Sequence, residues 1–131
     1  MNDDRVSVLV NDGGARFAAR RDYRTGFMPR AVAIGDLTGD GRPDLATANS
    51  GYLSTRYPVW YGVSVLVSSG GGRFRQKLDY ETRGNAFPFA VALADLDGDR
   101  RLDLAAGSAA DGGPPVGTLS VLLNRRGLCD V

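Results

Sequence analysis

The sequence predicts an all-β protein assembled from repeated four-stranded antiparallel sheets. Three observations predict it. The chain repeats itself at spacings of 56 to 59 residues, its apolar segments are short and β-branched, and an acidic nine-residue loop recurs at one place in each repeat. At 131 residues, 43% hydrophobic and 24% charged, the chain has the size and composition to bury a core rather than stay disordered.

Taken in order, the first element is Val6-Ser7-Val8-Leu9-Val10, which returns as Val63-Ser64-Val65-Leu66-Val67 and as Leu119-Ser120-Val121-Leu122-Leu123. β-Branched runs bounded by glycine or asparagine read as strands. Gly13-Gly14-Ala15-Arg16-Phe17 returns as Gly70-Gly71-Gly72-Arg73-Phe74, a tight hairpin whose glycines supply positive φ. Asp22-Tyr23 returns as Asp79-Tyr80 on the strand that follows. Phe17, Phe74, Tyr23 and Tyr80 are expected to fill the gaps between sheets.

Pro29 through Asp36 matches Pro88 through Asp95, with Val32 and Ile34, like Val91 and Leu93, alternating with small residues. Ala31, Ala33, Ala90 and Ala92 are expected to let neighbouring sheets approach. Leu45-Ala46-Thr47-Ala48 follows the acidic loop as a further strand, and no stretch of helical length has a 3.6-residue apolar period. Four short strands repeated at roughly 60 residues is the pattern of a β-propeller blade. Residues 1–27 then form a trailing half-blade, 28–84 a full blade and 85–131 three strands of another. The chain holds about two blades, a partial propeller or a share of a ring completed by oligomerisation.

Composition excludes several functions. Histidine is absent, which removes Ser-His-Asp and Cys-His pairs and the commonest general base at neutral pH. Cys129 is the only cysteine, so there is no intrachain disulfide and no thiolate zinc site. A net charge of +1, with fifteen scattered arginines and Lys77, gives no basis for nucleic-acid binding. No apolar run approaches the roughly 18 residues that span a bilayer, so no membrane insertion is expected. Met1-Asn2-Asp3-Asp4 does not open a secretory leader. The expectation is a non-enzymatic protein.

The two acidic loops carry the chemistry. Asp36-Leu37-Thr38-Gly39-Asp40-Gly41-Arg42-Pro43-Asp44 recurs as Asp95-Leu96-Asp97-Gly98-Asp99-Arg100-Arg101-Leu102-Asp103. Oxygen-bearing side chains stand at positions 1, 3, 5 and 9 of each, which lets a short loop curl around a hard cation. Calcium takes six to eight oxygens at about 2.3–2.6 Å, so the loops are expected to hold two calcium ions. An EF-hand would need a bidentate glutamate at position 12, where Thr47 and Ala106 stand.

The pattern resembles the FG-GAP or VCBS repeat family, the propeller repeats also found in integrin α-subunit heads, and residues 33–46 lie very close to its signature. The resemblance implies that each loop joins two strands of a blade and binds calcium. It implies side-chain oxygens from Asp36, Thr38, Asp40 and Asp44 with the Arg42 carbonyl, and from Asp95, Asp97, Asp99 and Asp103 with the Arg101 carbonyl. Two departures weaken the expected sites: Thr38 replaces an aspartate or asparagine, and Arg100 replaces a turn glycine.

Residues 50–62 hold three of the five tyrosines and the only tryptophan. Tyr52, Arg56, Tyr57, Trp60 and Tyr61 form a candidate platform for a glycan or protein ligand. The other reading is that Trp60 and Tyr61 belong to the incoming strand and pack on the next blade. Because a propeller needs about four to eight blades, the chain is expected either to assemble into a homo-oligomeric ring or to be a fragment of a longer propeller. An extracellular location as part of a longer secreted chain is expected. The functional alternatives are an adhesion or carbohydrate-binding module and a scaffold portion of a larger secreted enzyme.

Overall fold

The computed structural model describes residues 4–51, 61–82, 86–110 and 117–125. Among these the chain is all β, with no helix long and apolar enough to cross a membrane. Strands β5 (Pro29–Gly35), β6 (Asp44–Asn49), β7 (Gly62–Gly70) and β8 (Arg73–Glu81) form one antiparallel four-stranded sheet in sequence order. β9 (Ala86–Ala94), β10 (Asp103–Ala110) and β11 (Thr118–Leu122) form a three-stranded sheet of the same design. Ahead of both, β1 (Arg5–Val8) pairs with β4 (Arg21–Arg24), and β2 (Asn11–Gly13) pairs with β3 (Arg16–Phe17) in the connecting hairpin.

The sheets repeat in register as well as in sequence. Val6 faces Tyr23 as Val63 faces Tyr80, Ile34 faces Leu45 as Leu93 faces Leu104, and Ala46 faces Val65 as Ala105 faces Val121. Arg30 and Phe89 fall at a register shift beside Pro29 and Pro88, where a residue lacking an N–H is tolerated.

The core lies between the second and third sheets. Ala46, Val63 and Val65 point from one face, Leu104 and Ala106 from the other, and Leu37 closes the cluster. Alternation turns Leu45 and Leu66 to the opposite face of the second sheet, toward the first. The small residues do allow close approach. A methyl group added at Gly35 would stand 2.7 Å from Leu102 Cδ1 and 3.1 Å from Leu93 Cδ1, so β5 can lie against β9 only without a side chain there. Ala31 and Ala33 share that face and are half-buried, whereas Ala90 and Ala92 stand exposed on a face that no described sheet covers.

Of the four aromatics expected between sheets, three behave so and one does not. Tyr23 meets Phe74 edge-on at 5.1 Å, joining the first sheet to the second, and Tyr80 packs on the core cluster. Phe17 is 59% exposed, contrary to expectation. Its repeat equivalent Phe74 receives Tyr23 from the preceding sheet, and no described sheet precedes Phe17. Gly72, at φ +67° in the same hairpin, approaches Val10 so closely that any Cβ would collide with it. Its equivalent Ala15 takes the left-handed conformation at φ 60° in more open surroundings.

Truncation should separate the buried face from the open one. Leu104→Ala is expected to cost about 2–5 kcal/mol in urea denaturation. Phe17→Ala should stay within about 0.5 kcal/mol of the parent.

Candidate metal centre

Each acidic loop joins the first two strands of its sheet, β5 to β6 and β9 to β10. The position-1 aspartate organises the turn. Asp36 Oδ1 accepts the N–H groups of Gly39 at 2.7 Å and Asp40 at 3.1 Å, and its Oδ2 accepts that of Gly41 at 2.7 Å. Asp95 repeats this with Gly98 at 2.7 Å, Asp99 at 3.1 Å and Arg100 at 2.8 Å. Position 5 closes the far side: Asp40 accepts the Arg42 N–H and Asp99 that of Arg101, both at 2.9 Å. Gly39 and Gly98 sit at φ 78° and 82°, which a side chain would resist.

Position 9 is set apart from the others. Asp44 and Asp103 are fully buried at the starts of β6 and β10. Asp44 Oδ2 accepts the N–H groups of Leu37 at 2.9 Å and Thr38 at 3.1 Å, while Oδ1 accepts that of Ser68 on β7 at 2.8 Å. Asp103 Oδ2 accepts the Leu96 N–H at 2.7 Å and its Oδ1 the Asn124 N–H at 2.8 Å. One carboxylate therefore fastens the loop's entry to its own sheet's third strand. A buried charge stays ionised when backbone donors surround it. The N–H groups of Asn124 and Leu96 hold the Asp103 carboxyl below the usual range, against the opposing effect of burial. For Asp36, burial pushes upward, but the Gly41, Gly39 and Asp40 N–H groups and the Thr38 hydroxyl together prevail and lower it.

The second loop gathers its acids most closely. One carboxylate oxygen from each of Asp95, Asp97 and Asp99 lies within 4.8 Å of the others. In the first loop the corresponding set is Asp36, the Thr38 hydroxyl and Asp40, with Thr38 Oγ1 donating to Asp36 Oδ1 at 3.3 Å. All these donors are hard oxygens, the set suited to calcium or magnesium and not to zinc. Each arginine at position 7 leans on the aspartate at position 5, Arg42 on Asp40 at 3.9 Å and Arg101 on Asp99 at 3.7 Å. Such exposed pairs contribute little to stability.

The model of the FG-GAP repeat family matches residues 28–66, which take in β5, the first loop, β6 and the start of β7. The chain carries an FG-GAP repeat. No solved structure matches the chain. The second loop lies outside the matched segment, yet it repeats the FG-GAP loop nearly bond for bond. It differs at Arg100, which takes the left-handed conformation at φ 69° that Gly41 takes at φ 81°.

Of the residues expected to bind a ligand beside the FG-GAP repeat, Tyr52, Arg56, Tyr57 and Trp60 lie outside the described residues. Tyr61 is buried just before β7, its ring edge-on to Phe87 of β9 at 5.0 Å. Sequence reasoning missed Asn124. Its side chain donates to the Leu37 carbonyl of the first loop at 2.7 Å and to the Leu102 carbonyl of the second at 3.2 Å, tying the loops together. A signal was present: asparagine ends the Ser-Val-Leu strand at both Asn11 and Asn124.

Two outcomes follow from the loops in chelator. Arg100→Gly should stabilise the protein by about 0.5–1 kcal/mol, the left-handed strain removed less the added chain entropy of glycine, as read by denaturant titration. The pH dependence has a defined sign. Asp36 and Asp103 have folded values below their ordinary 3.8, so their stabilisation is fully present above that value and is lost as pH falls through the lowered ones. Melting followed by circular dichroism should hold steady down to about pH 5 and fall below about pH 4, with a flatter curve for Asp103→Asn.

Proposed function

We propose that the chain is a calcium-binding module of the propeller type, without catalytic activity, in which the two loops hold ions that stiffen their blades. The observation that carries this is the convergence of Asp95, Asp97 and Asp99, one carboxylate oxygen from each lying within 4.8 Å of the others. Three such groups repel one another unless a cation neutralises them, so ion binding feeds directly into folding stability. Asp95, Asp97 and Asp99 would hold the second ion, with Asp103 and the Arg101 carbonyl completing the set. Asp36, Thr38, Asp40, Asp44 and the Arg42 carbonyl would hold the first. Asp44 Oδ1 and Asp103 Oδ1 each accept one N–H group and keep a second lone pair. The absence of histidine from the sequence supports a non-enzymatic role.

The partner in this reading is a glycan or a protein, taken by Tyr52, Arg56, Tyr57 and Trp60 and not by Tyr61, which is buried against Phe87; the setting is extracellular, where calcium is plentiful enough for modest sites. The alternative is a scaffold portion of a larger secreted, propeller-containing enzyme. A glycan array of the parent beside Trp60→Ala separates them. Glycans bound by the parent and lost in the variant support recognition, and an empty array favours the scaffold.

Calcium itself is tested by melting. Calcium at 100 times the dissociation constant should stabilise the protein by about 2.7 kcal/mol per site, and chelator should remove the gain. Asp95→Asn with Asp97→Asn should abolish the share of the second loop. A melting temperature indifferent to calcium in the parent would refute the reading.

A further inference from the structure

Two open edges and one open face of this chain fit one another. β1 pairs with β4 on one side and, among the described residues, with no strand on the other. That other edge corresponds to the one by which β7 pairs with β6. Beside it, Val32 is 50% and Ile34 67% exposed on β5. Their equivalents Val91 and Leu93 are packed on the core. Val8 and Ile34 line a common apolar groove of about 310 Å³ with Leu45, Pro43 and Phe74. Among the described residues no pair of strands equivalent to β5 and β6 covers this groove.

At the far end, Leu119 and Val121 of β11 and Leu123 just after it are exposed, where Val63, Val65 and Val67 of β7 are buried. Among the described residues β11 has no fourth strand beside it of the kind that β8 gives β7. In the other two sheets that fourth strand brings an aspartate to the central serine, Asp22 to Ser7 at 2.7 Å and Asp79 to Ser64 at 2.6 Å. Ser120 has the matching place on β11, with no such strand beside it among the described residues. The N-terminal segment could replace β11 almost residue for residue. Val6-Ser7-Val8-Leu9-Val10-Asn11 aligns with Leu119-Ser120-Val121-Leu122-Leu123-Asn124, down to the asparagine that fastens Asp103 and bridges the loops.

We infer that two copies of this chain join head to tail by strand exchange. β1 of one copy takes the place of β11 on β10 of the other, making a complete four-stranded blade, β9–β10–β1–β4, from two chains. The blade then covers the groove: Ala90 and Ala92 of the copy that accepts β1 meet Val32 and Ile34 of the copy that donates it, as Gly35 meets Leu93 within a single chain. The contact joins unlike surfaces, so it propagates until a ring closes. Each copy then contributes two blades, and a ring of about four to eight blades holds about two to four copies. The inference rests on the propeller-type reading of the sheets and not on the metal.

The test is mass in solution, by light scattering on the full chain in excess calcium. Ile34→Asp and Ala92→Asp place a charge at exposed positions, one on each side of the contact, and circular dichroism checks that each variant stays folded. The parent is expected at the mass of two to four chains, each variant alone at one, and the equal mixture at two. A monomeric parent, a variant that assembles like the parent, or a mixture that stays monomeric overturns the proposal. The exchange itself is read by pairing Val8→Cys with Ala105→Cys in a Cys129→Ser background. Val121 faces Ala105 in β11, so Val8 of the incoming strand faces it after exchange. Oxidation should link chains covalently, and an assembly that forms no such link overturns the exchange.

Discussion

The acidic loops depend on a carboxylate that points away from solvent. Asp44 and Asp103 each lie fully buried and bind backbone N–H groups from two directions, the entry of their own loop and the end of the third strand. Removing such a group would leave several buried donors without acceptors, each at about 1–3 kcal/mol. That lashing sets where the loop leaves the sheet. It thereby sets where the carboxylates at positions 1, 3 and 5 stand and how closely they gather. The proposed ions would complete an arrangement that the backbone has already begun.

The same bonds organise the packing between sheets. Leu37 and Leu102, which follow and close the loops, sit at the end of the core formed by Ala46, Val63, Val65, Leu104 and Ala106. Asn124 joins the two loop carbonyls across that end. Loop geometry and blade packing are therefore one mechanical unit, in which a change at a loop is felt by the neighbouring sheet. Gly35 shows how tight the fit is, since its missing side chain is what admits Leu93 and Leu102. Arg100 shows where the sequence tolerates strain to keep the loop's path.

Much of this was legible in the sequence because repetition is a strong signal. The spacing of the Val-Ser-Val-Leu, Arg-Phe and Asp-Tyr segments predicts four strands per unit, and the strands run in that order with equivalent registers. The left-handed residue at position 100 was legible too, because a glycine stands at its equivalent, position 41. What a single sequence conceals is which copy of a repeated residue has a neighbour. Phe17 and Phe74 are the same in pattern, yet only Phe74 meets a tyrosine. The role of Asp44 and Asp103 was concealed for another reason. An aspartate at position 9 reads as a ligand from its spacing, and only the fold reveals that its oxygens also hold Ser68 and Asn124 in place.

Hydrogen exchange by NMR tests this account most directly, through the amides of Leu37, Ser68, Leu96 and Asn124 in the parent protein without metal. Bonds to buried carboxylates predict protection comparable to that of the central strands at all four. Exchange there at the rate of an exposed loop would contradict it, and the loops would then have no built frame in which to receive an ion.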